Sequence, residues 1–84
     1  MSDIILYTTA GCHLCDQARS VLEPLARVNG LRWRTIDIAD DPALVDVYGL
    51  RIPVIKVDGA EADIGWPFDE HALINYLQSH LPAD

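Results

Sequence analysis

The stretch IILYTTAGCHLCDQA, residues 4–18, carries both cysteines of an 84-residue chain and decides how the rest is read. Ile4 to Thr8 is a continuous apolar run that breaks at TAG, residues 9–11. A short run that is apolar on both faces suggests a buried central strand. From Cys12 to about Val28 the pattern changes. Cys15, Ala18, Leu22, Leu25 and Ala26 recur at three- and four-residue spacing, which is one face of a helix. Pro24 should kink this helix or tighten its last turn, because it removes a backbone donor. Asn29-Gly30 closes it.

Working outward, LRWRTIDI (31–38) reads as a second strand. Asp41 before Pro42 is a good N-cap and first helical residue, so a short helix should run to about Tyr48, with Gly49 stopping it. RIPVIKV (51–57) reads as a third strand, Asp58-Gly59 as a hairpin turn, and AEADI (60–64) as a fourth strand with one wet face. Asp69 should cap a last helix whose buried face carries Leu73, Leu77 and Leu81. The order is β-α-β-α-β-β-α. A right-handed first crossover makes strands one and two parallel, and the hairpin makes strands three and four antiparallel. The expected architecture is an α/β, four-stranded mixed sheet with helices on both faces, built as a single domain over residues 1–84.

This order puts Cys12 where the first strand meets the first helix. The unpaired N–H groups and positive dipole end of a helix N-terminus favour a thiolate there. Cys15 lies about one turn further on the same face. Cys12 should be the more exposed and attack a disulfide, and Cys15, buried beneath it, should resolve the mixed disulfide. Other readings carry less. A structural clip closing so small a loop contributes at most about 2 kcal/mol and is disfavoured in a reducing compartment. Zinc needs two more ligands, and His71 and His80 lie eight residues apart rather than the roughly three to five of a zinc-finger pair. Two inert core cysteines remain the bland alternative. The cluster Asp37, Asp40, Asp41 suggests a cation site less than it suggests helix capping, so no metal is expected.

Composition narrows the partners. The chain carries 13 acids against 6 Lys and Arg, a formal net charge of −7. Arg19, Arg27, Arg32, Arg34, Arg51 and Lys56 are scattered and form no stripe for phosphates, which argues against nucleic acid and against anionic membrane surfaces. MSDIILYTTA lacks a basic leader, a long apolar region and a cleavage site, and no apolar run approaches about 18 residues. A cytoplasmic protein without a membrane span is expected.

With these residues in place, the chain resembles the glutaredoxin and thioredoxin superfamily over essentially its whole length. The resemblance rests on GCHLC (11–15) after IILYT, on YGLRIPVIKVDG (48–59), and on Gly65, Trp66, Pro67, Phe68 and Asp69 at the last helix. More narrowly, it is similar to small bacterial glutaredoxin-like domains that combine CxLC, an acidic DI..D segment and YG.RIPV. The resemblance implies a thioredoxin-like fold. It implies a thiol-disulfide oxidoreductase that reduces protein or glutathione mixed disulfides, with Cys12 as attacking and Cys15 as resolving cysteine. It implies a cis Pro53 facing the CxxC, an Ile52 backbone free to pair with an extended substrate, and Arg51 at the rim of that groove. No bound cofactor is implied. Glutathione is a candidate co-substrate, glutathione or a thioredoxin-reductase-type enzyme would regenerate the dithiol, and a monomer is expected.

Departures from the family pattern matter. The basic residue usual three positions before the first cysteine is Thr9. The glycine pair usual before the third helix is replaced by Gly65-Trp66-Pro67, although Asp69 can still meet a glutathione amino group. The buried acid of thioredoxins is Leu6, and the tryptophan before their first cysteine is Gly11. His13, if charged, would stabilise a Cys12 thiolate, but oxidases with a histidine in this motif place it at the position held here by Leu14. The rival reading from another class is a non-catalytic thioredoxin-fold module, or slow redox sensor, that binds a protein partner in the groove.

Overall fold

A computed structural model describes residues 3–81. In chain order the elements are β1 (Ile4–Thr8), α1 (His13–Asn29), β2 (Trp33–Asp37), a 3-10 turn (Ile38–Asp40), α2 (Pro42–Tyr48), β3 (Val54–Val57), β4 (Asp63–Gly65) and α3 (Glu70–His80). The strands lie in the order β2-β1-β3-β4. β1 is parallel to β2, and β3 is antiparallel to both β1 and β4. This is the expected mixed sheet.

β1 is apolar throughout because both its faces are covered. Ile4 and Leu6 pack with Ala18, Leu22, Leu25 and Ala26 of α1 and with Leu73, Tyr76 and Leu77 of α3. Ile5 and Tyr7 pack on the opposite face with Ile38 and Tyr48. Leu81 packs at the edge of the first cluster.

Several boundaries differ from the sequence reading, each for a local reason. α1 begins at His13, and Cys12 is its N-cap. Pro24 lies inside the helix. It sits on the exposed side, where a helix can lose one backbone donor to solvent at least cost, and α1 runs on to Asn29. There Gly30, at φ 65°, donates to Arg27, and Leu31 donates to Ala26, a paired left-handed ending that glycine permits. β2 stops at Asp37, whose carboxylate accepts from the Ala39 N–H at 2.9 Å and turns the chain. Capping belongs to Asp37 and Asp41, not to Asp40. β3 starts at Val54 rather than Arg51, because Pro53 has no N–H to give the ladder and the Arg51 and Ile52 N–H groups both donate to the Tyr48 carbonyl.

β4 is three residues later than the alternation suggested, and Tyr76 explains why. Lys56 pairs with Asp63, so Val57 comes opposite Ala62. The Tyr76 hydroxyl sits between these two, accepting from the Val57 N–H at 2.9 Å and donating to the Ala62 carbonyl at 2.6 Å. A side chain from α3 thus replaces a rung of the ladder. The turn before it has positive φ at Gly59 alone, with Ala60 N–H bonded to the Val57 carbonyl at 2.9 Å, the requirement of a type II turn rather than of the tighter I′ hairpin.

Burial raises the hydroxyl pKa of Tyr76 and of Tyr7, and charge repulsion from the Tyr48 phenol beside it raises the latter further. Both groups hold their protons more tightly folded than unfolded. Their contribution is therefore fully present below the ordinary value of 10.0 and is lost as pH rises through the higher folded values. The urea midpoint should fall as pH is taken above about 10, and Tyr7→Phe should flatten that fall. Among the described residues, no helix is long and apolar enough to cross a membrane.

Candidate functional site

The site is assembled where β1 hands over to α1. Gly11 takes φ 77°, a backbone state other residues rarely adopt, and delivers Cys12 to the N-cap position. Cys12 and Cys15 are joined as a disulfide, with Cα atoms 5.2 Å apart. Cys12 is half-buried, whereas Cys15 is only 4% exposed and belongs to the helix face that packs on the sheet. The Cys15 N–H donates to Cys12 Sγ at 3.1 Å. One of the orphan donors of the helix N-terminus is thus aimed at the outer sulfur. His13 and Leu14 are exposed between the two.

Tyr7 pairs with Val54, so the next residues in register, Thr8 and Pro53, lie across from each other at the sheet end that carries the CxxC loop. Pro53 is fully buried, its peptide bond from Ile52 is cis, and its carbonyl accepts from the Trp66 N–H at 3.0 Å. The Trp66–Pro67 bond is cis as well.

Ile52 and Arg51 are engaged by partners that the sequence does not reveal. The Ile52 backbone is not wholly free. Its N–H is held by Tyr48 at 3.0 Å, because the chain must close α2 before β3 can begin. Arg51 is not loose at a rim either. Its guanidinium forms a two-pronged pair with Asp63 and lies 5.9 Å from the Tyr48 ring centre. This pair raises the Arg51 pKa, chiefly through the hydrogen bond to Asp63. Asp63 sits on β4, too far along the chain to be linked to Arg51 by spacing. Arg51→Gln should lower stability by up to about 1 kcal/mol, as for a partly exposed ion pair, and leave reduction of a neutral disulfide within about twofold. A fall well beyond that would return Arg51 to the substrate groove.

Asp69 caps α3, with one carboxylate oxygen accepting from the Ala72 N–H at 2.8 Å. The bulky segment before it packs inward. Trp66 meets Phe68 edge-to-face at 5.0 Å, and Phe68 joins the α1–α3 core.

The family model described as Glutaredoxin-like domain (DUF836) matches residues 3–78. The chain belongs to this glutaredoxin-like family. The "Uncharacterized protein Rv0508" of Mycobacterium tuberculosis is 36% identical over 73 residues, spanning 81% of this chain and 74% of that protein. The X-ray structure of target protein XcR50 from X. campestris is 38% identical, covers 90% of this chain and 96% of its own, and has a TM-score of 0.75. A mutant thioredoxin from Halobacterium salinarum is 24% identical, covers 99% of this chain and 77% of its own, and has a TM-score of 0.71; it shares the fold.

Proposed function

We propose that the protein is a small dithiol-disulfide oxidoreductase that reduces protein disulfides or glutathione mixed disulfides. The observation that carries this is the Cys12–Cys15 pair at the head of α1, one sulfur reachable from solvent and the other buried behind it. In the reduced protein the Cys15 N–H and the helix dipole favour a thiolate at Cys12. That thiolate attacks one sulfur of the substrate. The substrate S–S bond breaks, a Cys12 mixed disulfide forms, and the leaving thiolate takes a proton from solvent. Cys15 then loses its proton and attacks Cys12 Sγ, which releases the second substrate thiol and forms the Cys12–Cys15 bond. Two electrons pass from the dithiol to the substrate, so no bound cofactor is required.

An extended substrate would run beside Pro53 with the Ile52 carbonyl as its backbone partner, since among the described residues no hydrogen bond uses that carbonyl. Asp69 keeps one carboxylate oxygen beyond its cap contact for a glutathione ammonium. A charged His13 would favour the thiolate, and Cys12 titration in His13→Ala checks this: an unchanged midpoint removes that role. We place the protein in the cytoplasm as a monomer, regenerated by glutathione or a thioredoxin-reductase-type enzyme.

Turnover of a model disulfide with each electron donor in turn tests the reading. Activity with either donor supports it. No turnover with both would favour a module that binds proteins without catalysis.

A further inference from the structure

α1 does not cover the whole width of the sheet. Trp33, Thr35 and Asp37 pair with Ile4, Leu6 and Thr8, and Ile4 and Leu6 face α1, so these three β2 residues face the α1 side. On the helix-covered side of a sheet such positions are ordinarily apolar. Only Trp33 is treated so here, packing at the edge of the core with the Arg19 guanidinium 5.8 Å from its ring centre. Beyond it the two elements part and leave a recess of about 410 Å³ between α1 and β2, with Cys12 in its wall. This lies within the roughly 300–1,000 Å³ common for small-molecule pockets. It is on the β2 side of β1, whereas Pro53 bonds to Trp66 just after β4, and Asp69 caps α3, which packs against β4.

The charges in this recess form no ion pairs among the described residues. Arg19 lines it and takes part in none of the ion pairs among the described residues, unlike Arg32, Arg34 and Arg51. Asp37 and Asp16 line it too and are likewise in none. Asp37 uses one oxygen as a cap, which leaves the other for a ligand. A cation and two carboxylates around a reactive sulfur are complementary to a molecule that carries ammonium, carboxylate and sulfur close together.

We propose that this recess binds the α-amino-acid head group of a small disulfide, of which cystine is the simplest. Arg19 takes the carboxylate, Asp37 with Asp16 takes the ammonium, and Thr35 offers a hydroxyl between them. The assignment rests on the dithiol reading above and specifies a substrate class for it. Cys12 attacks the near sulfur of R–S–S–R, one RSH leaves, and Cys15 releases the second, so one cystine gives two cysteines and the protein disulfide.

The test is the second-order rate constant for oxidation of the reduced protein by five disulfides: cystine, cystamine (ammonium only), dithiodipropionate (carboxylate only), hydroxyethyl disulfide (neutral) and glutathione disulfide. Because the leaving thiols differ in intrinsic reactivity, each is read as a ratio of variant to wild type. Arg19→Gln should slow cystine and dithiodipropionate about tenfold, the scale of one partly solvated charge-assisted hydrogen bond. It should leave cystamine and hydroxyethyl disulfide within about twofold. Asp37→Asn, which keeps the cap acceptor, should slow cystine and cystamine instead. Glutathione disulfide, with amides where cystine has its charges, should be unaffected by both. A uniform fall across all five, no change with cystine, or sensitivity confined to glutathione disulfide would overturn the assignment while leaving the dithiol chemistry intact. No reaction with any of the five would overturn both.

Discussion

Cys12→Ser should bring disulfide reduction down to the uncatalysed background, while Cys15→Ser should accumulate a stable mixed disulfide on Cys12. The asymmetry follows from burial. Cys15 is 4% exposed and sits on the packed face of α1, so an incoming disulfide cannot reach it first. Cys12 is half-buried at the N-cap, and the neighbouring N–H points at its sulfur. Serine keeps the cap, because its hydroxyl accepts the same hydrogen bond, so loss of activity in Cys12→Ser reports the missing nucleophile rather than an unravelled helix. Intact-protein mass after incubation with glutathione disulfide should show one added glutathionyl group on Cys15→Ser and none on Cys12→Ser. An adduct at position 15 in Cys12→Ser, forming as fast as the other, would reverse the roles.

Tyr76→Phe should destabilise the fold by about 1–3 kcal/mol, a magnitude set by leaving a buried N–H unpaired. The hydroxyl bridges the Val57 N–H and the Ala62 carbonyl, and Val57 is only 1% exposed, so water cannot readily replace it. A domain of this size has a total stability of roughly 4–13 kcal/mol. The loss should lower the melting temperature by several degrees for each kcal/mol, on the order of 4–8 °C. Hydrogen exchange at the Val57 amide should accelerate more than at the Ile55 amide, since the change is local to the β3–β4 hairpin. A variant as stable as the parent would mean that the two strands close onto each other once the hydroxyl is gone.

Much of this site was legible because its signals are local. The apolar run of β1, the three- and four-residue spacing of α1 and the Asn29-Gly30 ending each act within a turn or two of helix. Together they place Cys12 at a helix mouth and Cys15 beneath it. The Asp41 and Asp69 caps are read the same way, each from a carboxylate next to the first helical turn. The Arg51 ion pair was not legible because its partner, Asp63, is brought to it only by the β3–β4 pairing. The Ile52 N–H was misjudged because the closing turn of α2 takes it. Arg19 carried no local signal at all. Its position beside Asp37 and Cys12 exists only once α1 has crossed over the sheet and β2 has paired with β1.

The order of elements, the buried faces and the place of the cysteine pair at the head of α1 are properties of the sequence by itself, since periodicity, capping and helix-end electrostatics operate between residues a few positions apart. The late start of β4, the Tyr76 bridge, the capture of Arg51 by Asp63 and the charged recess beside Cys12 were decided by the tertiary structure alone. Each joins residues distant along the chain, and such contacts depend on how strands register and helices cross, which no short window of sequence contains.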